Sequence, residues 1–259
     1  MDHDKLRELL EAVKAGATEV DAAVAALRDL PYGDLGYARV DHHRTLRQGV
    51  PEVVFGQGKR DEQILGIVME LARAGGNVLV TRLEAGAATF VKASLPAFEY
   101  VEMAKVGRLE QKPIAPLNKV PAVLVSAGTS DMPVAEECAE TLRMLGVSFD
   151  RVYDVGVAGI HRLLEKRGVL ERASLVIVVA GMEGALPSAV GGLVDVPVIA
   201  VPTSVGYGAA LGGFTPLFCA LTSCASGVVV CNIDNGFGAA FAAARMLRSA
   251  GRNGESDRG

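Results

Sequence analysis

Apolar and polar positions fall into a regular alternation in the second half of the chain. Short apolar runs at 122–126, 149–154, 175–180, 198–201 and 228–232 alternate with longer helix-like stretches at 133–145, 158–167, 185–193 and 208–222, and a last one covers 239–247. A short continuous apolar run suits a strand covered on both faces, and the longer stretches suit crossover helices. This rhythm predicts an α/β fold: a three-layer, doubly wound parallel sheet with right-handed crossovers. The helix over 208–222 is apolar on nearly every face, with Leu211, Phe214, Leu217, Phe218 and Leu221, so it should be buried all round and touch more than its own sheet.

The first half follows a different rhythm. Leu6, Leu9, Leu10 and Val13 mark a helix over 4–15 that Gly16 ends, and Thr18 can cap a second carrying Val20, Ala23, Val24 and Leu27. Residues 30–50 mix Pro, Gly, Tyr and charge, as an irregular segment would. Strands are expected at 53–55, 78–83 and 98–106, and helices at 60–74 and 84–93. Charge together with Pro113 and Pro116 marks 105–119 as a linker. The expected organisation is a smaller N-terminal helical and α/β domain (1–118), a nucleotide-binding catalytic domain (119–248) and a polar, disordered tail (249–259).

Composition narrows the function. Half of the 259 residues are hydrophobic, only 5% are aromatic and there is no Trp, so Gly, Ala and Val must fill the interior. Net charge is −4, without a basic stripe, which excludes nucleic acid and an anionic membrane as the main partners. Met1-Asp-His-Asp-Lys5 has no apolar signal region, and the most apolar stretch, 206–230, is broken by Gly and Pro216, so a cytoplasmic protein is expected. The four cysteines lack CxxC and metal-ligand spacing and read as free thiols. His42 and His43 are adjacent and cannot easily share one metal in an extended chain.

Four glycine-rich turns follow four of the apolar runs. Parallel strands deliver their C-terminal ends to one sheet edge, so the turns should meet in one crevice. Glycine lets backbone N–H groups approach a ligand, and a following helix N-terminus favours an anion. The first turn offers Ser126, Gly128, Thr129, Ser130 and Asp131; its alternative role is helix capping. The second holds Gly181, Met182, Glu183 and Gly184, with Glu183 placed for acid–base work or as a solvated loop residue. The third holds Thr203, Ser204 and Gly206, and the fourth Asn232, Asp234, Asn235 and Gly236. Asp154 should reach the same edge, and Arg162 could clamp a phosphate there. Of the cysteines, Cys219 and Cys231 have apolar neighbours, Cys138 sits beside glutamates, and only Cys224 has polar neighbours, which makes it the candidate nucleophile.

The strings at 179–193, 197–208 and 232–238, with those at 126–137 and 40–49, resemble the pyridinium-3,5-biscarboxylic acid mononucleotide synthase family of nickel-pincer cofactor biosynthesis, which serves lactate racemase maturation. The second half is also similar to phosphoribosylaminoimidazole carboxylase, whose Ser-Ala-His-Arg motif is loosely echoed at Ala158-Gly-Ile-His-Arg162. The first resemblance implies carboxylation of nicotinic acid adenine dinucleotide at ring C5, with phosphoanhydride cleavage releasing AMP. It implies CO2 or bicarbonate as co-substrate, no tightly bound cofactor and room for Mg2+ without identified ligands; the apolar helix over 208–222 by itself predicts a homo-oligomer, for which the resemblance implies an octamer. The family's cysteine falls on Cys224. On this reading Glu183 or Asp154 takes the ring proton, and Ser126, Thr129 and Ser130 hold phosphate. The alternatives are an aminoimidazole ribonucleotide carboxylase or mutase, which needs no thiol, and a non-catalytic nucleotide sensor.

Overall fold

The structure is a computed structural model that describes residues 3–27 and 32–256. It divides into two compact units, Met1–Pro113 and Ile114–Gly259.

In the first unit, α1 (His3–Lys14) and α2 (Val20–Leu27) precede a two-stranded ribbon, β1 (Gly33–Asp34) and β2 (Arg39–Val40), and a short α3 (Arg44–Gln48). The segment expected to be irregular over 30–50 therefore carries this ribbon and helix, while residues 28–31 lie outside the described part. Next come β3 (Val53–Phe55), α4 (Asp61–Arg73), β4 (Val78–Thr81), α5 (Ala85–Ser94), β5 (Glu99–Val101) and β6 (Val106–Leu109). They form a four-stranded sheet of order β3-β4-β6-β5, with β3 parallel to β4 and the other pairs antiparallel. The single strand expected over 98–106 is thus a hairpin. Its apolar run is interrupted at Glu102-Met103, and Lys105 takes a left-handed backbone (φ 49) that turns the chain back. Strand β6 also occupies four residues of the expected linker. Ile64, Val68 and Leu71 of α4 pack with Val78, Val80 and Phe98 in the core of this unit.

The second unit follows the predicted alternation. Its elements are β7 (Ala122–Ser126), α6 (Met132–Met144), β8 (Phe149–Val152), α7 (Ile160–Glu165), α8 (Arg167–Leu170), β9 (Val176–Ala180), α9 (Leu186–Gly191), β10 (Val198–Pro202), α10 (Phe214–Leu221), β11 (Val228–Val230) and α11 (Gly236–Ser256). All four strand pairings are parallel, in the order β11-β10-β9-β7-β8. Numbered within the unit this is 2-1-3-4-5, a flavodoxin-like, doubly wound sheet. Every residue of β7, β9 and β10 is buried, as strands covered on both faces require. Leu124, Ile177 and Ile199 face α6 and α11, and Val125, Val178 and Val198 face the core shared with α7, α8 and α9. Cutting a fully buried Ile or Leu here to Ala costs about 2–5 kcal/mol.

Two expectations about the helices change. The stretch 208–222 is a 3-10 turn, Gly208–Gly213, followed by α10, with Leu211, Gly212 and Gly213 all at positive φ. That kink leaves only Ala210, Gly213, Pro216 and Ala220 buried, and Leu211, Phe214, Phe218 and Leu221 are exposed on the single chain. The tail expected to be disordered from 249 continues α11 to Ser256, because adding a residue to an existing helix costs far less than starting one; residues 257–259 lie outside the described part.

Candidate active site

Strands β7, β8, β9 and β10 are parallel and finish at one edge, and the loops that follow them form a cavity of about 360 Å³. Gly128, Thr129, Ser130 and Asp131 line it from the first loop, Asp154 and Arg162 from the second, and Gly181, Met182, Glu183 and Gly184 from the third. Gly156, Val157, Ala158 and Val205 also line it, and the sequence reading missed them as site residues. Gly156 carried a usable signal: a Cβ there would sit 2.9 Å from Ala127 O, so only glycine lets the two loops approach. The volume is near the lower end of the about 300–1,000 Å³ usual for small-molecule sites, which suits a group the size of one nucleotide.

Two buried or half-buried aspartates tie the loop tips together. Asp131, 4% exposed, accepts at Oδ1 from the Thr203 hydroxyl (2.7 Å) and at Oδ2 from the Gly128 N–H (3.0 Å). Burial raises its pKa above the ordinary value of 3.8, against the lowering effect of the hydrogen bonds from Thr203, Gly128 and the Gly181 N–H. Asp234 accepts from the Ser204 N–H (2.8 Å), while its own N–H donates to Pro202 O. The Met182 N–H donates to Val205 O, closing the β9 loop onto the β10 loop. Gly181 has no room for a side chain, since a Cβ would meet Thr203 Oγ1 and Val205 O at 2.5 Å.

Several candidates hold the site without facing it. Ser126 is fully buried beneath the first loop; its hydroxyl meets Met132 Sδ at 3.8 Å and lies 3.4 Å from the Asp154 N–H. Expected at phosphate, it does not line the cavity. Thr203 is fully buried on Asp131, and Ser204 reaches Asp234 through its backbone. Gly206 is fitted against Ala210, whose Cβ would lie 2.5 Å from a Cβ at Gly206. Asn232 accepts from the Ile233 N–H, Asn235 caps α11 through the Gly238 N–H (2.7 Å), and Gly236 lets α11 approach α6, where a Cβ would lie 2.3 Å from Val134 O.

Asp154 and Arg162 do not act independently. The guanidinium donates to Asp154 Oδ2 over 2.6 Å at the cavity wall, so each neutralises the other until a ligand competes. Asp154 also sits at φ 58, a left-handed conformation that Asp tolerates better than most residues. Glu183 is the exposed carboxylate of the third loop.

Cys224 is exposed and does not line this cavity. It precedes β11, and at the end of its loop Gly227 O accepts from the Val198 N–H, at the edge where the strands begin. The cysteine named as candidate nucleophile is therefore not among the residues that line the cavity in one chain. Cys138 is fully buried, and burial pushes its thiol well above the usual range; Cys231, half-buried, is raised for the same reason. Cys219, expected to be core, is only half-buried. His42 meets Glu70 Oε1 at 2.9 Å while His43 Nδ1 faces Arg47 at 3.2 Å, so the two rings serve different partners. Among the described residues no group of His, Cys, Asp and Glu could hold a metal ion, and no helix is long and apolar enough to cross a membrane.

Strand order and crevice together define a flavodoxin-like α/β protein with a nucleotide-sized site at the carboxyl ends of its strands. The family model for AIR carboxylase matches residues 122–256, and that for the LarB/PurE-like N-terminal domain matches residues 32–111. The chain thus belongs to the AIR carboxylase family, with the two-domain architecture that adds a LarB/PurE-like N-terminal domain. It is 41% identical over 244 residues to the uncharacterized protein MJ0165 of Methanocaldococcus jannaschii, covering 90% of this chain and 93% of that one. Two crystal structures from Treponema denticola are similar to it at 24% identity. A single-residue variant of PurE2 has a TM-score of 0.39 and covers 54% of this chain and 94% of its own, and PurE has a TM-score of 0.38 with 53% and 93%.

Proposed function

We propose that the chain carboxylates the pyridinium ring of nicotinic acid adenine dinucleotide at C5 and cleaves the phosphoanhydride. The products are pyridinium-3,5-biscarboxylic acid mononucleotide and AMP, a step of nickel-pincer cofactor synthesis. The observation that carries this reading is a nucleotide-sized, glycine-lined cavity in an AIR carboxylase domain that is joined to a LarB/PurE-like domain. The family supports carboxylase-type chemistry, and the resemblance of the motifs at 179–193, 197–208 and 232–238 suggests the pyridinium substrate.

A pyridinium ring is an electrophile and will not attack CO2. The Cys224 thiolate adds at C4; a C–S bond forms and the ring charge is neutralised, giving a dihydropyridine whose C5 is an enamine carbon. C5 then bonds to CO2 and leaves an iminium at N1. A base removes the C5 proton, and expulsion of the thiolate from C4 restores the aromatic cation. Glu183 is the preferred base, because Asp154 is engaged by Arg162. The Thr129 and Ser130 hydroxyls and the backbone donors of the glycine loops suit phosphate and the developing carboxylate.

This chemistry needs Cys224 at a ring seated in the cavity, which one chain does not supply. The outward face of the 3-10 turn and α10, with Leu211, Phe214, Phe218 (57% exposed) and Leu221, offers a surface through which a second copy would bring its thiol across. On this reading the working form is a homo-oligomer. The test incubates the chain with nicotinic acid adenine dinucleotide, bicarbonate, Mg2+ and a reductant. Appearance of the dicarboxylated mononucleotide and AMP by mass spectrometry supports the reading, and no product counts against it.

That Cys224 does not line the cavity favours a second reading, an aminoimidazole ribonucleotide carboxylase or mutase that needs no thiol. Turnover of that ribonucleotide by a Cys224→Ala variant would favour it.

A further inference from the structure

Cys224 stands at the tip of a small turn with two anchors on one helix. The Ser223 hydroxyl accepts from the Ala225 N–H at 3.2 Å, a side-chain turn that brackets Cys224 and leaves it outermost. The same hydroxyl lies 2.7 Å from the Ser188 hydroxyl on α9. On the other side of the tip, Ala225 packs onto Gly191 of α9: a Cβ at Gly191 would lie 2.9 Å from Ala225 Cβ and 3.0 Å from Val228 Cγ2, so glycine makes the seat. Ser188 and Gly191 are three residues apart and share a helix face. Helix α9 begins immediately after Gly184 and Ala185, which line the cavity.

We propose that Ser188, acting through Ser223, is a positioning residue that holds the Cys224 turn in a fixed orientation on α9. Ser188 touches no substrate. Its hydroxyl and that of Ser223 satisfy one another in a half-buried place, so removing one leaves the other short of a partner and frees the turn to reorient. The thiol then keeps its exposure and loses its aim. The proposal rests on the reading of Cys224 as the nucleophile, and its structural part can be tested apart from that reading.

The experiment compares the wild-type chain with Ser188→Ala and Ser188→Thr. Amide hydrogen exchange at Cys224 and Ala225 is measured first, with no substrate present. Ser188→Ala should speed it about five-fold, the factor expected for one net hydrogen bond, and Ser188→Thr should restore it. Alkylation of Cys224 by iodoacetamide, located by peptide mass, should stay within about two-fold, since a small reagent needs no fixed orientation. With the dinucleotide, kcat should fall about five-fold or more at unchanged KM, again with rescue by Thr. Unchanged exchange in Ser188→Ala overturns the proposal, as does faster exchange with unchanged kcat. A matching loss of alkylation, kcat and thermal stability would show a collapsed loop and also overturn it. A Cys224→Ala chain that still turns over the dinucleotide refutes the nucleophile reading itself, whatever the exchange data show.

Discussion

The Thr203 hydroxyl donates to Asp131 Oδ1 over 2.7 Å, joining two buried side chains 72 residues apart. The bond ties the loop after β10 to the loop after β7, directly beneath the cavity. Replacing Thr203 with Val keeps the shape and removes the donor. A buried carboxylate oxygen left without its donor costs about 1–3 kcal/mol, so Thr203→Val should lower the free energy of urea unfolding by that amount. An unchanged midpoint would show that the bond does not hold the loops.

Asp131 also gives the stability of this unit a pH signature. Burial raises its folded pKa above 3.8, with the Asp234 charge adding in the same direction. The folded chain therefore holds the proton more tightly than the unfolded chain. The contribution is complete below about pH 3.8 and is lost as pH rises through the folded value. Urea unfolding of the wild type and Asp131→Asn across acid pH isolates it: the stability of the wild type relative to the variant should fall as pH rises through that window. A difference that rises with pH would reverse the assignment.

Arg162 and Asp154 make an exposed pair at the cavity wall, and such pairs contribute little to stability. Arg162→Ala should change unfolding by less than about 1 kcal/mol. It should also weaken binding of a mononucleotide to the cavity about ten-fold or more, as loss of a charge-assisted phosphate contact does. Isothermal calorimetry with nicotinic acid mononucleotide reads this directly, and equal affinity in the two proteins would remove Arg162 from the site.

The α10 face should respond to charge. If a second copy covers Phe218, then Phe218→Glu places a carboxylate in an apolar contact and the assembly should dissociate. Light scattering after size exclusion should show a multimer for the wild type and a smaller species for the variant. A wild-type monomer would refute the assembly.

Much of the fold was legible from patterning. The fully buried runs of β7, β9 and β10 admit few alternatives, and three of the four glycine turns do meet in one cavity region. The fourth turn does not line the cavity: Asp234 ties it to the third loop and Asn235 caps α11 locally, while Gly236 and the Phe237 N–H fit against α6, a helix 100 residues earlier in the chain that the sequence pattern does not pair with it. The hairpin over β5 and β6 was hidden because an apolar run carries no sign of a reversal made by a left-handed Lys105. The all-round apolar pattern of α10 says that its outward face needs cover and does not say which chain supplies it. The place of Cys224 was readable in the order of elements, since a residue between a crossover helix and the next strand lies where that strand begins. The composition of its neighbours drew attention to the thiol and said nothing about which edge it occupies.

A bond between the Cys224 sulfur and the substrate ring can be trapped on the enzyme. The chain is mixed with nicotinic acid adenine dinucleotide and bicarbonate, quenched within a turnover, digested and mapped by mass. A substrate-derived mass is expected on the peptide that carries Cys224, and it should be absent in Cys224→Ala together with both products. Accumulating dicarboxylated mononucleotide from a chain without that cysteine would contradict a reaction through that bond.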